Sequence, residues 1–123
     1  MTSHSSQSPI FSQTYDLLRW LLPLAAAMPR EHRTGLGRRL PEAAFLLQRQ
    51  LIAAAKQGHN PTPLLREADI TLAELRLLLR LARDLHMLSF KQYEEGARRS
   101  SELGRLLGGW LRRGEELSPT SGS

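Results

Sequence analysis

The sequence predicts an all-α protein, an up-and-down antiparallel four-helix bundle. Apolar residues recur at helical spacing in four stretches, most densely from Leu64 to Leu88. Start and stop signals built on Ser, Thr, Pro and Gly divide those stretches into segments of helix length joined by short links. No strand signal competes, since the chain has no sustained alternation and no Asn-Gly or Asp-Gly hairpin turn. At 123 residues the chain is one domain's worth, large enough for a modest core.

The first helix is expected to start near Ser12 or Thr14 and to run to Met28, because Pro29 disfavours helical geometry in the residue before it. Pro23 lies inside it without a backbone donor, which predicts a bend at a cost of roughly 3 kcal/mol that packing must offset. A second helical region covers Arg30 to Gln57, with Gly58 as its stop. Pro41 interrupts it. Either the helix kinks there, or a short helix precedes a longer one that has Pro41 in its first turn.

Thr62 followed by Pro63 reads as a capping hydroxyl with proline at the first helical position, and opens the leucine-rich third helix. Thr71 and Glu74 have the spacing of a second capping box, but the apolar pattern does not pause, so one continuous helix is expected. Leu72, Leu75, Leu79 and Ala82 mark one face, while Leu77, Leu78, Leu81 and Leu85 spread onto the flanks. A helix this apolar needs neighbours on more than one side.

Ser89 with Gln92 forms another capping box and starts the fourth helix, so the third and fourth are antiparallel across a very short link. Phe90, Tyr93, Ala97, Leu103, Leu107, Trp110 and Leu111 are its expected core residues. Gly96, Gly104, Gly108 and Gly109 cost about 1 kcal/mol each relative to Ala, which a close approach of another backbone would explain. The bundle is expected over residues 10–114. Residues 1–9 and 115–123 are polar and rich in Ser, Pro and Gly, and are expected to be flexible tails.

The formal net charge is +5, and of the 17 basic residues only Lys56 and Lys91 are lysine. Guanidinium forks bind phosphate bidentately and stack on bases, so anionic partners, nucleic acid first, are expected. Arg76, Arg80 and Arg83 fall in one line on the third helix; Asp84 is in reach of Arg80, and Arg76 has no acid three or four residues away. Arg30, Arg33, Arg38 and Arg39 crowd the start of the second helix, where free amides also favour anions, with only Glu31 and Glu42 near. On the fourth helix Lys91, Arg98, Arg105 and Arg112 repeat every seven residues, but Glu95 and Glu102 can neutralise most of that row, leaving Arg112 and Arg113. Each group reads either as a solvated face or as a phosphate track.

Catalysis is not expected. The chain has no cysteine, its four histidines have no metal-ligand spacing, and no nucleophile stands with a base, so no cofactor or metal is called for. The apolar run Leu17 to Met28 carries Arg19 and Pro23 and is far short of a membrane span, which predicts a cytoplasmic protein with no membrane partner.

Several stretches together resemble a known family. Pro29-Arg30 with Arg33, Leu36 and Gly37, then LREADITLAELRLLLRLARDL from Leu65 to Leu85, Gln92-Tyr93-Glu94, and ELGRLLGGWL from Glu102 to Leu111 are similar to the accessory variability determinant (Avd) proteins of diversity-generating retroelements. The resemblance covers Tyr15 to Arg112. It implies a non-enzymatic partner of a retroelement reverse transcriptase, assembled as a homopentameric barrel, that binds nucleic acid (RNA, DNA or RNA–DNA hybrid) and supports mutagenic copying of a template RNA into a variable gene. It also implies partner contacts at Arg76 and Arg80. The four-helix-bundle proteins encoded in intervening sequences of 23S ribosomal RNA genes are similar around Pro29 to Gly37 and offer the alternative, an oligomerisation module with protein or ribosomal RNA partners. Their Asn-Ile-Ala-Glu-Gly signature is absent, however, and the chain reads LIAAAKQG there.

Overall fold

The structure, a computed structural model, describes residues 9–117. Its helices are α1 (Pro9–Ala26), α2 (Leu36–Lys56), α3 (Thr62–Asp84) and α4 (Phe90–Leu117), with a 3-10 turn at Arg30–His32. Each helix packs on the next, and α4 closes the ring onto α1. Every neighbouring pair is antiparallel: Gly37 lies against the Ala25 carbonyl, Arg39 pairs with Glu74, Arg83 covers Tyr93, and Trp20 meets Gly96. The expected up-and-down bundle is therefore the observed one, and no strand occurs among the described residues. One end carries the links 27–35 and 85–89; the other carries the link 57–61 together with Pro9 and Leu117.

The core is almost wholly leucine. Leu17 and Leu21 of α1, Leu40, Leu47 and Leu51 of α2, Leu65, Leu72, Leu75 and Leu79 of α3, and Leu103 and Leu107 of α4 are all fully buried. Burying each contributes about 1.5–3 kcal/mol relative to leaving it in water. Leu72, Leu75, Leu79 and Ala82 form the inward face of α3, as their spacing predicts.

Several boundaries differ from expectation for local reasons. α1 begins at Pro9, because the Ser12 hydroxyl donates to the Pro9 carbonyl (3.0 Å) and that of Thr14 to the Ile10 carbonyl (2.6 Å), so both bond back into the helix instead of capping it. It continues through Pro23 and ends at Ala26, two residues before Met28. Arg19, whose carbonyl loses its helical donor to Pro23, is exposed, as is Pro23 itself, so water can satisfy that group. α2 starts after a separate 3-10 turn, and Pro41 sits in its second turn, one turn deeper than expected. The expected tails lie largely outside the described residues, though Pro9 belongs to α1 and residues 115–117 to α4.

At the start of α3 the cap is not the Thr62 hydroxyl, which is buried without a hydrogen-bond partner. The Asn60 side-chain oxygen instead accepts from the Thr62 N–H (3.1 Å). Thr71 donates to the Glu67 carbonyl (3.1 Å), so no second cap forms and α3 is continuous. α3 stops at Asp84 in a Schellman motif, with Met87 N–H bonded to the Ala82 carbonyl, His86 N–H to the Arg83 carbonyl, and His86 in the left-handed region at φ 62°. The Ser89 capping box is present in full, Gln92 N–H to Ser89 Oγ (3.0 Å) and Ser89 N–H to Gln92 Oε1 (2.9 Å).

Leu103 and Leu107 of α4 are buried, and Tyr93, Ala97, Trp110 and Leu111 half-buried, but Phe90 points into solvent. The glycines of α4 face side chains, not backbone. A Cβ on Gly96 would lie 3.0 Å from the Trp20 ring and 3.2 Å from the Leu79 methyls, and one on Gly104 3.4 Å from the Arg76 guanidinium. On Gly108 and Gly109 it would meet only the ends of Arg112 and Arg113.

Candidate nucleic-acid interface

The two flanks of α3 differ in chemistry. Arg76, Arg80 and Arg83 lie on the side towards α4, as the i, i+4, i+7 spacing requires once Leu72, Leu75 and Leu79 are buried. The opposite flank, towards α2, holds the Arg39–Glu74 ion pair (2.9 Å), and Ile70, Leu77, Leu81 and Leu85 are exposed on the outward side of the helix.

Between α3 and α4 runs a groove of about 640 Å³, lined by Asp69, Leu72, Ala73, Arg76, Ser101, Gly104 and Arg105. Ser101 and Gly104 make it, because small residues on α4 leave the space between the helices unfilled. Arg76 lies across this groove towards Gly104 and also lines a smaller hollow with Leu79, Tyr93, Ala97 and Ser100.

The three arginines of the line have different surroundings. Arg83 is held twice, by Asp84 through Nε (3.0 Å) and Nη2 (2.8 Å), and by the Tyr93 ring, whose centre is 4.5 Å from its guanidinium carbon. Asp84 thus pairs with its neighbour Arg83 and not with Arg80. Arg76 and Arg80 are exposed and have no ion pair among the described residues. A planar guanidinium without a carboxylate keeps its fork of donors available for phosphate or carboxylate.

Arg30, Arg33, Arg38 and Arg39 sit at the same end of the bundle as Arg83. Arg38 pairs with Glu42 (2.9 Å), Arg39 with Glu74, and Arg33 Nε donates to the Met28 carbonyl (3.4 Å), while Arg30 has no ion pair among the described residues. Arg112 and Arg113 are exposed at the opposite end, so the structure does not bring them to the others. The heptad row of α4 is neutralised as its spacing predicts. Arg98 and Arg99 both bind Glu95, and Arg105 binds Glu102. The hydrogen bond from Arg98, reinforced by the charge of Arg99, holds the Glu95 carboxyl below the usual carboxylate range, and the hydrogen bond from Arg105 does the same for Glu102.

Two features escape a reading of the sequence. The Arg39–Glu74 pair joins residues 35 apart and has no local signature. The groove does have one, since Ala97, Ser100, Ser101 and Gly104 recur at i, i+3, i+4 and i+7 as a stripe of small residues on the face that meets α3. Among the described residues no group of His, Asp and Glu is placed to hold a metal ion, and no helix is long and apolar enough to cross a membrane.

Fold and surface together define a basic all-α bundle with an arginine-lined groove between two of its helices. A family model described as bAvd-like matches residues 9–114, from the first residue of α1 into the last turns of α4. The chain belongs to that family, in agreement with its resemblance to the Avd proteins. No curated protein matches the chain.

Proposed function

We propose that this chain is the accessory protein of a diversity-generating retroelement, a non-enzymatic cytoplasmic protein that binds nucleic acid and the retroelement reverse transcriptase. Its nucleic acid is the template RNA or an RNA–DNA hybrid, its working form is a homopentamer, and its role is to support mutagenic copying of the template into a variable gene. Membership of the bAvd-like family supports the retroelement role.

The observation that carries the binding function is the exposed, unpaired state of Arg76 and Arg80 beside the α3–α4 groove. A phosphate replaces no existing ion pair there, so the gain from each contact is not offset by a broken salt bridge. Arg38 and Arg39 each hold an acid and contribute less. Arg30 and Arg33 add positive potential at the end of the bundle, and Arg112 and Arg113 form a separate basic site.

Binding to single-stranded RNA, duplex DNA and an RNA–DNA hybrid, followed across salt concentration with the mass of the free protein measured in the same buffer, tests this reading. The expected result is a pentamer whose affinity falls steeply with salt. Arg76→Ala with Arg80→Ala should lower RNA affinity about tenfold or more and reduce the log–log salt slope by about 1.4, with the helical content unchanged. Unchanged affinity in a natively folded double variant overturns the assignment of the site.

A further inference from the structure

Phe90 is 67% exposed, more than any other large apolar side chain among the described residues. On α4, Phe90, Tyr93, Ala97 and Gly104 follow one another at i, i+3, i+7 and i+14, so they share the flank that faces α3. Phe90 therefore stands at the mouth of the α3–α4 groove, one turn beyond Tyr93 and about 21 Å along the helix from Gly104. Of the two rings on this flank, Tyr93 is covered by the Arg83 guanidinium (4.5 Å) and Phe90 is open. On the facing helix Arg76 lies in the groove and Arg80 follows one turn nearer the same mouth, both exposed and without an ion pair among the described residues.

We propose that the α3–α4 groove is a site for unpaired, single-stranded nucleic acid, in which Phe90 stacks on a base while Arg76 and Arg80 hold the backbone. The proposal rests on the reading above, in which the groove binds nucleic acid, and adds the form that it takes and a contact made to bases instead of charge. An open ring needs an open base face. In a duplex or an RNA–DNA hybrid those faces are closed by stacking, so only a single strand, a loop or a strand end can use Phe90.

The acidic groups around the groove favour the same occupant. Asp69 lines its far end together with Ser101, and Glu94 is exposed one turn on from Phe90. A carboxylate repels a phosphate but accepts from a base amino group, and the Ser101 hydroxyl can donate or accept. A backbone lying unbroken along the groove would pass both acids. Bases turned inward at its two ends, with phosphates at Arg76 and Arg80 between them, meet each group with its complement.

The test compares the wild-type protein with Phe90→Leu, which keeps apolar bulk and removes the ring, and with Phe90→Trp, which keeps a ring. Phe45→Leu is the control, an exposed ring on α2, across the bundle from α4. All three changes are at exposed positions, so circular dichroism and mass should match the wild type. Each protein is titrated, across salt concentration, with a single-stranded RNA, with the same sequence as an RNA–DNA hybrid, and with an abasic strand that keeps only the phosphates and sugars. Phe90→Leu should lose about tenfold in affinity for the single-stranded RNA, and Phe90→Trp and Phe45→Leu should retain it. The loss should be absent on the hybrid and the abasic strand, and the log–log salt slope should not change, because no phosphate contact is removed. Unchanged single-strand affinity in Phe90→Leu overturns the proposal, as does an equal loss on the hybrid or the abasic strand. A changed mass overturns it too, and makes Phe90 a contact between copies. Wild-type protein that binds none of the three nucleic acids overturns the reading of the groove itself, an outcome distinct from the others.

Discussion

The guanidinium carbon of Arg83 sits 4.5 Å from the centre of the Tyr93 ring and ties the last turn of α3 to the first turn of α4. Asp84 holds the same guanidinium through its carboxylate. Arg83 is therefore part of the scaffold that fixes the α3–α4 groove, whereas Arg76 and Arg80 remain open to a ligand.

Tyr93→Leu should lower stability by about 1 kcal/mol, and a double-mutant cycle with Arg83→Ala should return a coupling of about 0.5–1 kcal/mol. Urea unfolding of the four proteins measures both. A coupling of zero would mean that the ring and the guanidinium merely lie near each other.

Gly96 and Gly108 should respond in opposite directions to alanine. At Gly96 the new methyl would press on Trp20 and the buried Leu79, and the crowding, about 1–3 kcal/mol, exceeds the helix-propensity gain of about 1 kcal/mol. At Gly108 it would meet only the end of the Arg112 side chain, so Gly108→Ala should stabilise by up to about 1 kcal/mol. Thermal unfolding of the pair checks the signs against each other.

The link between α3 and α4 offers a matched pair of changes. His86 adopts φ 62° at the end of the Schellman motif, a conformation costing a non-glycine residue about 1 kcal/mol, and His86→Gly should recover part of it. Ser89→Ala should cost about 1 kcal/mol, because the Gln92 N–H loses its acceptor. Unfolding midpoints of the two variants should move apart.

Stability should also depend on pH through the outer face of α4. The carboxyls of Glu95 and Glu102 are held below their ordinary range in the folded protein, first by hydrogen bonds from Arg98 and Arg105. A lowered folded value means that this stabilisation is fully present above the unfolded carboxylate range and is lost as pH falls through the folded value. Both pairs are solvent-exposed, so the effect is small and is screened by salt. In urea titrations from about pH 6 to about pH 3, Glu95→Gln with Glu102→Gln should flatten the lower part of the curve.

Helix number, order and inward faces were legible in the sequence because they rest on period and spacing, which are local. The Ser89–Gln92 box, the buried side of α3 and the Glu95 and Glu102 pairings all follow from residues within one turn of each other. Readings failed where a local signal had two satisfactory partners. Ser12 and Thr14 bond back to carbonyls three and four residues earlier, Thr62 does not cap α3 and its own N–H goes to the Asn60 side chain, and Asp84 chooses Arg83 over Arg80. Phe90 is apolar yet exposed, since it opens α4 directly after the cap and no neighbouring element covers it. The candidate site was half legible, in that the arginine line is visible in the spacing, but which of its members are free depends in part on Tyr93, which the packing of α4 on α3 brings to Arg83.

With an even number of antiparallel helices, Pro9 and Leu117 lie at the end opposite Arg30, Arg33 and Arg83. Gly114 reinforces this by seating the last turns of α4 against Thr62 at the start of α3. A surface, dye or bead coupled at Pro9 or Leu117 is therefore attached behind the arginine-rich end. Immobilised in that way, the protein presents its arginine-rich end outward, and both flanks of α3 stay open to whatever is passed over it.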